Sequence, residues 1–113
     1  MLSRTWIREV TSNDVASSVL RLTDAKACIP AEAFISGAAP DPLSPPAGKL
    51  PIEITWPNGN VSRHFVREDT NRYMITDRTD AVRKFYSLIG KAGSIAITAL
   101  EPGKFLITPV EVN

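Results

Sequence analysis

Apolar and polar residues alternate in several short runs along this chain, and each run stops at a cluster of turn-forming residues. The cleanest run is "IEITW" (52–56), whose period of two predicts a half-buried strand. "NVSRHFV" (60–66) sets Val61, Arg63 and Phe65 against Ser62, His64 and Val66, a second strand. Between them lies "PNG" (57–59), whose Asn-Gly pair tolerates positive φ, so the two strands are expected to form a hairpin. "TWIREV" (5–10) reads as a first strand, "VLRL" (19–22) as a short one, and "YMIT" (73–76) resumes strand character after a charged, apolar-poor gap. "SIAITAL" (94–100) and "KFLITPVEV" (104–112) form a second predicted hairpin across "EPG", with proline at the second turn position.

One segment changes period. In "DRTDAVRKFYSLIGKAG" (77–93), Val82, Phe85, Tyr86 and Ile89 fall on one face of a helix, with Asp77 or Thr79 as cap and Gly90 as stop. "PAEAFI" is a short helix candidate, since Pro30 suits a first helical position and Gly37 ends the run. "TSNDVASSV" (11–19) is polar and small, and Ser12, Asn13 and Asp14 bend the backbone through their own side-chain hydrogen bonds. Residues 37–51 hold five of the nine prolines and read as a stiffened surface loop inside one domain, because 36 preceding residues are too few to fold alone. Many short strands, one or two short helices and proline-rich turns predict a mostly β barrel or sandwich spanning residues 1–113.

Composition narrows the chemistry more than it points to any. One histidine and one cysteine leave a four-ligand Cys/His zinc site out of reach. Cys28, in "KACIPA", reads as a small buried hydrophobe, and a single cysteine agrees with a reducing compartment. Phosphate-cradling and nucleophile-elbow motifs are missing, as are paired acids at metal-nuclease spacing. No catalysis, cofactor or metal is therefore expected. No apolar run nears the roughly 18 residues of a membrane helix, and "MLSRTWIREV" lacks a signal-peptide core, so a cytoplasmic setting is the expectation, or a nuclear one in a eukaryote.

Charge is unevenly placed. Residues 60–91 carry seven Lys/Arg against four Asp/Glu, although the whole chain is only +1. The biased region overlaps "NGNVSRHFVREDTNRYMITD" (58–77) and is read as fitting an anionic partner there. His64 itself reads as a half-exposed strand residue, and Trp6, Trp56 and the four phenylalanines as core or barrel-end packing.

The order of elements resembles the B3-type DNA-binding pseudobarrel of plant transcription factors and of bacterial restriction-endonuclease effector domains, the bacterial branch more closely. "VTSNDVASSVLRLTDAKACIPAEAF" is similar to the family's opening, with Thr11, Asn13, Asp14, Val15, Arg21, Leu22, Ile29 and Pro30 in its order. "WPNGNVSRHFV" resembles its D-x-x-G-x-x-W hairpin, with Arg63 or His64 near the place of the missing tryptophan. "YMITDRTDAVRKFYSLIG" looks like its strand and helix, and "KAGSIAITALEPGKFLITPV" like its closing hairpin, with Gly93-Ser94 for the usual Gly-Asp. The resemblance implies an open seven-stranded β pseudobarrel that grips the major groove of double-stranded DNA between two arms.

Carried over by position, the first arm spans Thr11 to Arg21 and offers Asn13, Asp14 and Arg21 to base edges. The second spans Arg63 to Arg72, His64 among them, and offers Arg63, Arg67, Glu68, Asp69, Asn71 and Arg72. Arginine forks onto guanine, asparagine onto adenine, and carboxylates accept from cytosine. Ser12, Ser17, Ser18, Thr70 and the lysines are the expected phosphate contacts. The implied partners are duplex DNA and a nuclease domain or subunit, with neither membrane nor RNA expected. The competing expectation is a non-catalytic protein-protein or ligand-binding β-barrel module whose basic bias is coincidental.

Overall fold

A computed structural model describes residues 4–35, 43–69, 72–75, 81–89 and 93–110. Among them are eight strands, β1 (Arg4–Glu9), β2 (Phe34–Ile35), β3 (Ile52–Thr55), β4 (Val61–His64), β5 (Val66–Asp69), β6 (Arg72–Ile75), β7 (Ser94–Glu101) and β8 (Lys104–Val110). Two α-helices accompany them, α1 (Ser12–Ser17) and α2 (Ala81–Ile89), with 3-10 turns at Thr23–Cys28 and Ala31–Ala33. Five strands form one sheet in the order β1-β7-β8-β3-β4, and three form a second, β2-β5-β6. The expected mostly β, open architecture is what the chain adopts, without closure into a single barrel. Eight strands replace the expected seven.

Both predicted hairpins form. β3 pairs antiparallel with β4, Thr55 opposite Val61, and the Trp56 amide donates to the Asn60 carbonyl at 2.8 Å. Only Gly59 in that turn takes positive φ, at +87°, while the Asn58 side chain accepts from the Asn60 amide at 3.0 Å. This is a three-residue connection with glycine at its left-handed position, rather than a two-residue Asn-Gly turn. β7 and β8 turn through Gly103, whose φ is +81°. Its amide donates to the Cys28 carbonyl and its carbonyl accepts from the Glu53 amide, so this turn ties the first third of the chain to β3.

Four readings need correction. Residues 11–19 are not an irregular bend. Thr11 and Asp14 form a reciprocal capping box, Thr11 Oγ1 accepting from the Asp14 amide at 3.1 Å and Asp14 Oδ2 from the Thr11 amide at 3.0 Å. That pair nucleates α1, and Ser18 closes it in the left-handed conformation. Residues 19–22 are not a strand of their own but touch β6 through one bridge, Arg21 opposite Met74. The "PAEAFI" helix is a single 3-10 turn that passes into β2, and its proposed stop, Gly37, lies outside the described residues. The supposed charged gap after residue 66 is largely strand, because the chain breaks at Phe65, changes sheet and continues as β5 and β6.

One core joins the two sheets. Ile52, Ile54, Ile95, Ile97, Phe105 and Ile107 come from the large sheet, Val66 and Ile75 from the small one, and Leu20 and Leu22 from the segment after α1. α2 adds Val82, Phe85 and Tyr86, the face its periodicity predicts. Its expected caps, Asp77, Thr79 and Gly90, lie outside the described residues. No described helix is long and apolar enough to cross a membrane.

Candidate nucleic-acid interface

The two predicted arms are brought side by side by backbone pairing. The Leu22 amide donates to the Tyr73 carbonyl at 2.7 Å and the Ile75 amide to the Leu20 carbonyl at 3.0 Å. These bonds flank the Arg21–Met74 bridge and dock the end of the first arm onto β6. β6 in turn pairs with β5, Met74 opposite Arg67 and Arg72 opposite Asp69. Side chains on paired residues share a sheet face, and the face changes with every residue. Arg21, Met74 and Arg67 therefore form one row across the outer face, and Arg72 belongs to the same face one pleat away. Leu20, Leu22, Val66 and Ile75 take the other face and are buried. Arg21 and Arg67 are two strand spacings apart, roughly 10 Å at the backbone, comparable with the roughly 12 Å width of a major groove.

Alternation forces this arrangement. In "LRL" (20–22) and "RYMI" (72–75), placing the apolar residues inward leaves Arg21 and Arg72 outward, and Val66 inward leaves Arg67 outward. Met74 shares the polar face by the same rule. It was missed as a candidate because its apolar side chain gives no binding signal of its own.

Arg21 is held from below. Its Nε lies 3.0 Å from Asp14 Oδ1, and the Asp14 side chain is only 3% exposed. The contact is a charge pair, since neither atom completes a well-angled hydrogen bond in the described structure. Asp14 is thus a structural residue that caps α1 and neutralises Arg21, and its burial removes it from the direct base contacts expected of the first arm. Ser12, Asn13 and Ser17 remain exposed on α1, while Ser18 is half-buried.

α2 secures the same region. Tyr86 Oη donates to the Val19 carbonyl at 2.6 Å, just beyond α1. Burial, reinforced by the nearby Asp14 carboxylate, pushes the Tyr86 phenol well above its ordinary range, against the opposing pull of Arg8 and Arg21. Arg8 also approaches Asp24 at 3.7 Å.

The remaining candidates separate. Arg63 lies on β4 in the other sheet, where its guanidinium meets Glu53 at 3.4 Å. His64 is not half-exposed. At 1% exposure it is buried, its Nε2 2.6 Å from Ser62 Oγ, which also accepts from Trp56 Nε1 at 2.7 Å. Inward-facing Ser62 and His64 make this polar chain part of the hairpin's packing. Arg67, Glu68 and Arg72 are exposed. Asp69 is placed by the backbone opposite Arg72, and Thr70 and Asn71 lie outside the described residues. No cluster of three metal-binding side chains occurs among the described residues.

Two sheets of short strands with two short α-helices among the described residues make a mostly β, open fold. The solved structure of the hypothetical Arabidopsis thaliana protein At1g16640.1, itself B3-like, is similar to this chain with a TM-score of 0.57. The similarity covers 99% of this chain and 94% of that one at 9% sequence identity, and so concerns the fold alone. No family model and no curated protein matches the sequence.

Proposed function

We propose that this chain binds double-stranded DNA through the major groove, with sequence preference and without catalysis of its own, as the recognition module of a restriction endonuclease. The observation that carries the reading is the row Arg21–Met74–Arg67, joined by Arg72 on the same outer face. Guanidinium groups on a stiff sheet suit bidentate contact with guanine O6 and N7. The capped helix that precedes Arg21 in the chain keeps Ser12 and Asn13 exposed. Asp14 fixes Arg21 from beneath, which reduces the rotamer freedom that binding would otherwise remove. The nuclease association rests on the sequence resemblance to effector domains.

A gel-shift selection on a randomised duplex pool tests duplex binding and preference together. On the selected duplex, Arg67→Ala or Arg72→Ala is expected to weaken binding by about 1–3 kcal/mol if the side chain reads a base. Equal loss on random duplex marks a phosphate contact instead. Affinity should fall steeply between about 50 and 200 mM salt. Salt-insensitive binding, or none, favours the protein-protein alternative.

A further inference from the structure

On another part of the molecule, the β3–β4 hairpin leans against the first turns of α2 and leaves a cavity of about 290 Å³. That is at the lower edge of the roughly 300–1,000 Å³ of small-molecule sites. Trp56 and Phe85 contribute aromatic walls, their ring centroids 5.1 Å apart and their planes tilted by 42°. Val61, an exposed apolar residue, and Pro57 extend the apolar surface outward.

The polar groups around it include the donors of Lys84 and of the Asn58 and Asn60 side-chain amides. Lys84 brings a full positive charge, and no carboxylate is found among the described lining residues. Asn58 spends its side-chain oxygen on the Asn60 amide, which leaves its NH2 group as the part that can reach a ligand. Ser62, at the floor, accepts from Trp56 Nε1 and shares one proton with His64 Nε2. When His64 is the donor in that pair, the Ser62 hydroxyl keeps its own proton to donate. Flat apolar walls, one cation and several donors match a ligand with the opposite polarity, an aromatic ring carrying an acceptor-only anionic group.

We infer that this cavity is a binding site for a small aromatic carboxylate, with the ring against Trp56, Phe85 and Val61 and the carboxylate met by Lys84 and Asn58. The site is separate from the arginine face and requires no DNA.

Benzoate and its uncharged counterpart benzyl alcohol are the probes, titrated into the ¹⁵N-labelled wild-type chain. The protein has two tryptophans, so Trp6→Phe identifies the indole N–H signal of Trp56. The site is supported if that signal moves saturably with benzoate, while benzyl alcohol binds about tenfold or more weakly. Lys84→Ala should then weaken benzoate to a similar extent and Lys84→Arg should restore most of it; Lys84 is exposed, so both variants are expected to retain the fold. Absence of a saturable shift overturns the proposal, and so does equal response to the two probes or benzoate binding that is indifferent to Lys84→Ala.

Discussion

The five-stranded and three-stranded sheets solve different problems with similar backbone. In the larger sheet, β3, β7 and β8 bury Ile52, Ile54, Ile95, Ile97, Phe105 and Ile107 almost completely. Its strands are joined by pairings that span most of the chain, β1 with β7 and β3 with β8. The smaller sheet is built from strands of two to four residues. It commits one face to the core through Val66 and Ile75, while the other carries Arg67, Arg72 and Met74, with buried Ile35 beside Arg67 on β2. The contrast teaches that the larger sheet supplies most of the core while the smaller one leaves a face for presentation, so a residue's sheet and face together predict what its loss will do.

The largest effect should come from the scaffold. Phe105→Ala removes a ring that is 1% exposed and is expected to cost about 3–5 kcal/mol in denaturant unfolding, taking any DNA binding with it. Gly103→Ala should cost about 1–3 kcal/mol, because its φ of +81° is strained for alanine and the new methyl meets the Pro30 ring at 3.3 Å. Asp14→Asn, at the seam between sheet and arm, should cost about 1–2 kcal/mol by weakening the cap and uncoupling Arg21. A specificity loss larger than that stability loss would show that Asp14 orients Arg21 as well as holding the helix.

Tyr86→Phe is a smaller perturbation, about 1 kcal/mol for the bond to Val19, and has a pH signature. The folded phenol holds its proton more tightly than the unfolded chain does, whose ordinary value is 10.0. Stability is thus undiminished below about pH 10 and falls as pH rises beyond it, since unfolding then releases a proton. Unfolding of Tyr86→Phe followed from pH 8 to 11 should lack that alkaline decline. Least disturbing to the fold is Arg72→Ala, expected within about 0.5 kcal/mol of the parent. A large drop in its melting temperature would erase the division between the sheets.

The larger sheet was legible in the sequence where alternate positions are buried, as in "IEITW" and, with Ala96 buried between them, at Ile95, Ile97 and Ala99 of "SIAITAL". α2 was legible for the equivalent reason at helical period. β5 was not. "VRED" buries Val66 while exposing Arg67 and Glu68, so its strand character comes from its partner β6 and leaves no apolar alternation to read. α1 was hidden differently, since six polar and small residues carry almost no helical hydrophobic signal and only the Thr11–Asp14 spacing marks the start. The arginine face was half visible: Arg21 was named on the first arm and Arg67 and Arg72 on the second, but nothing local indicated that Arg63 and His64 belong to the other sheet. Phe65 hides that change of sheet, because it looks like one more alternating residue.

The pairing of β1 with β7 has a kinetic consequence. Thr5 meets Thr98 across 93 positions of sequence, and their hydroxyls lie 2.9 Å apart. Because β7 follows β1 so much later in synthesis, β1 must wait, unpaired, until the intervening residues have been made. Such long-range closure favours slow, late-committing folding over stepwise growth from the front.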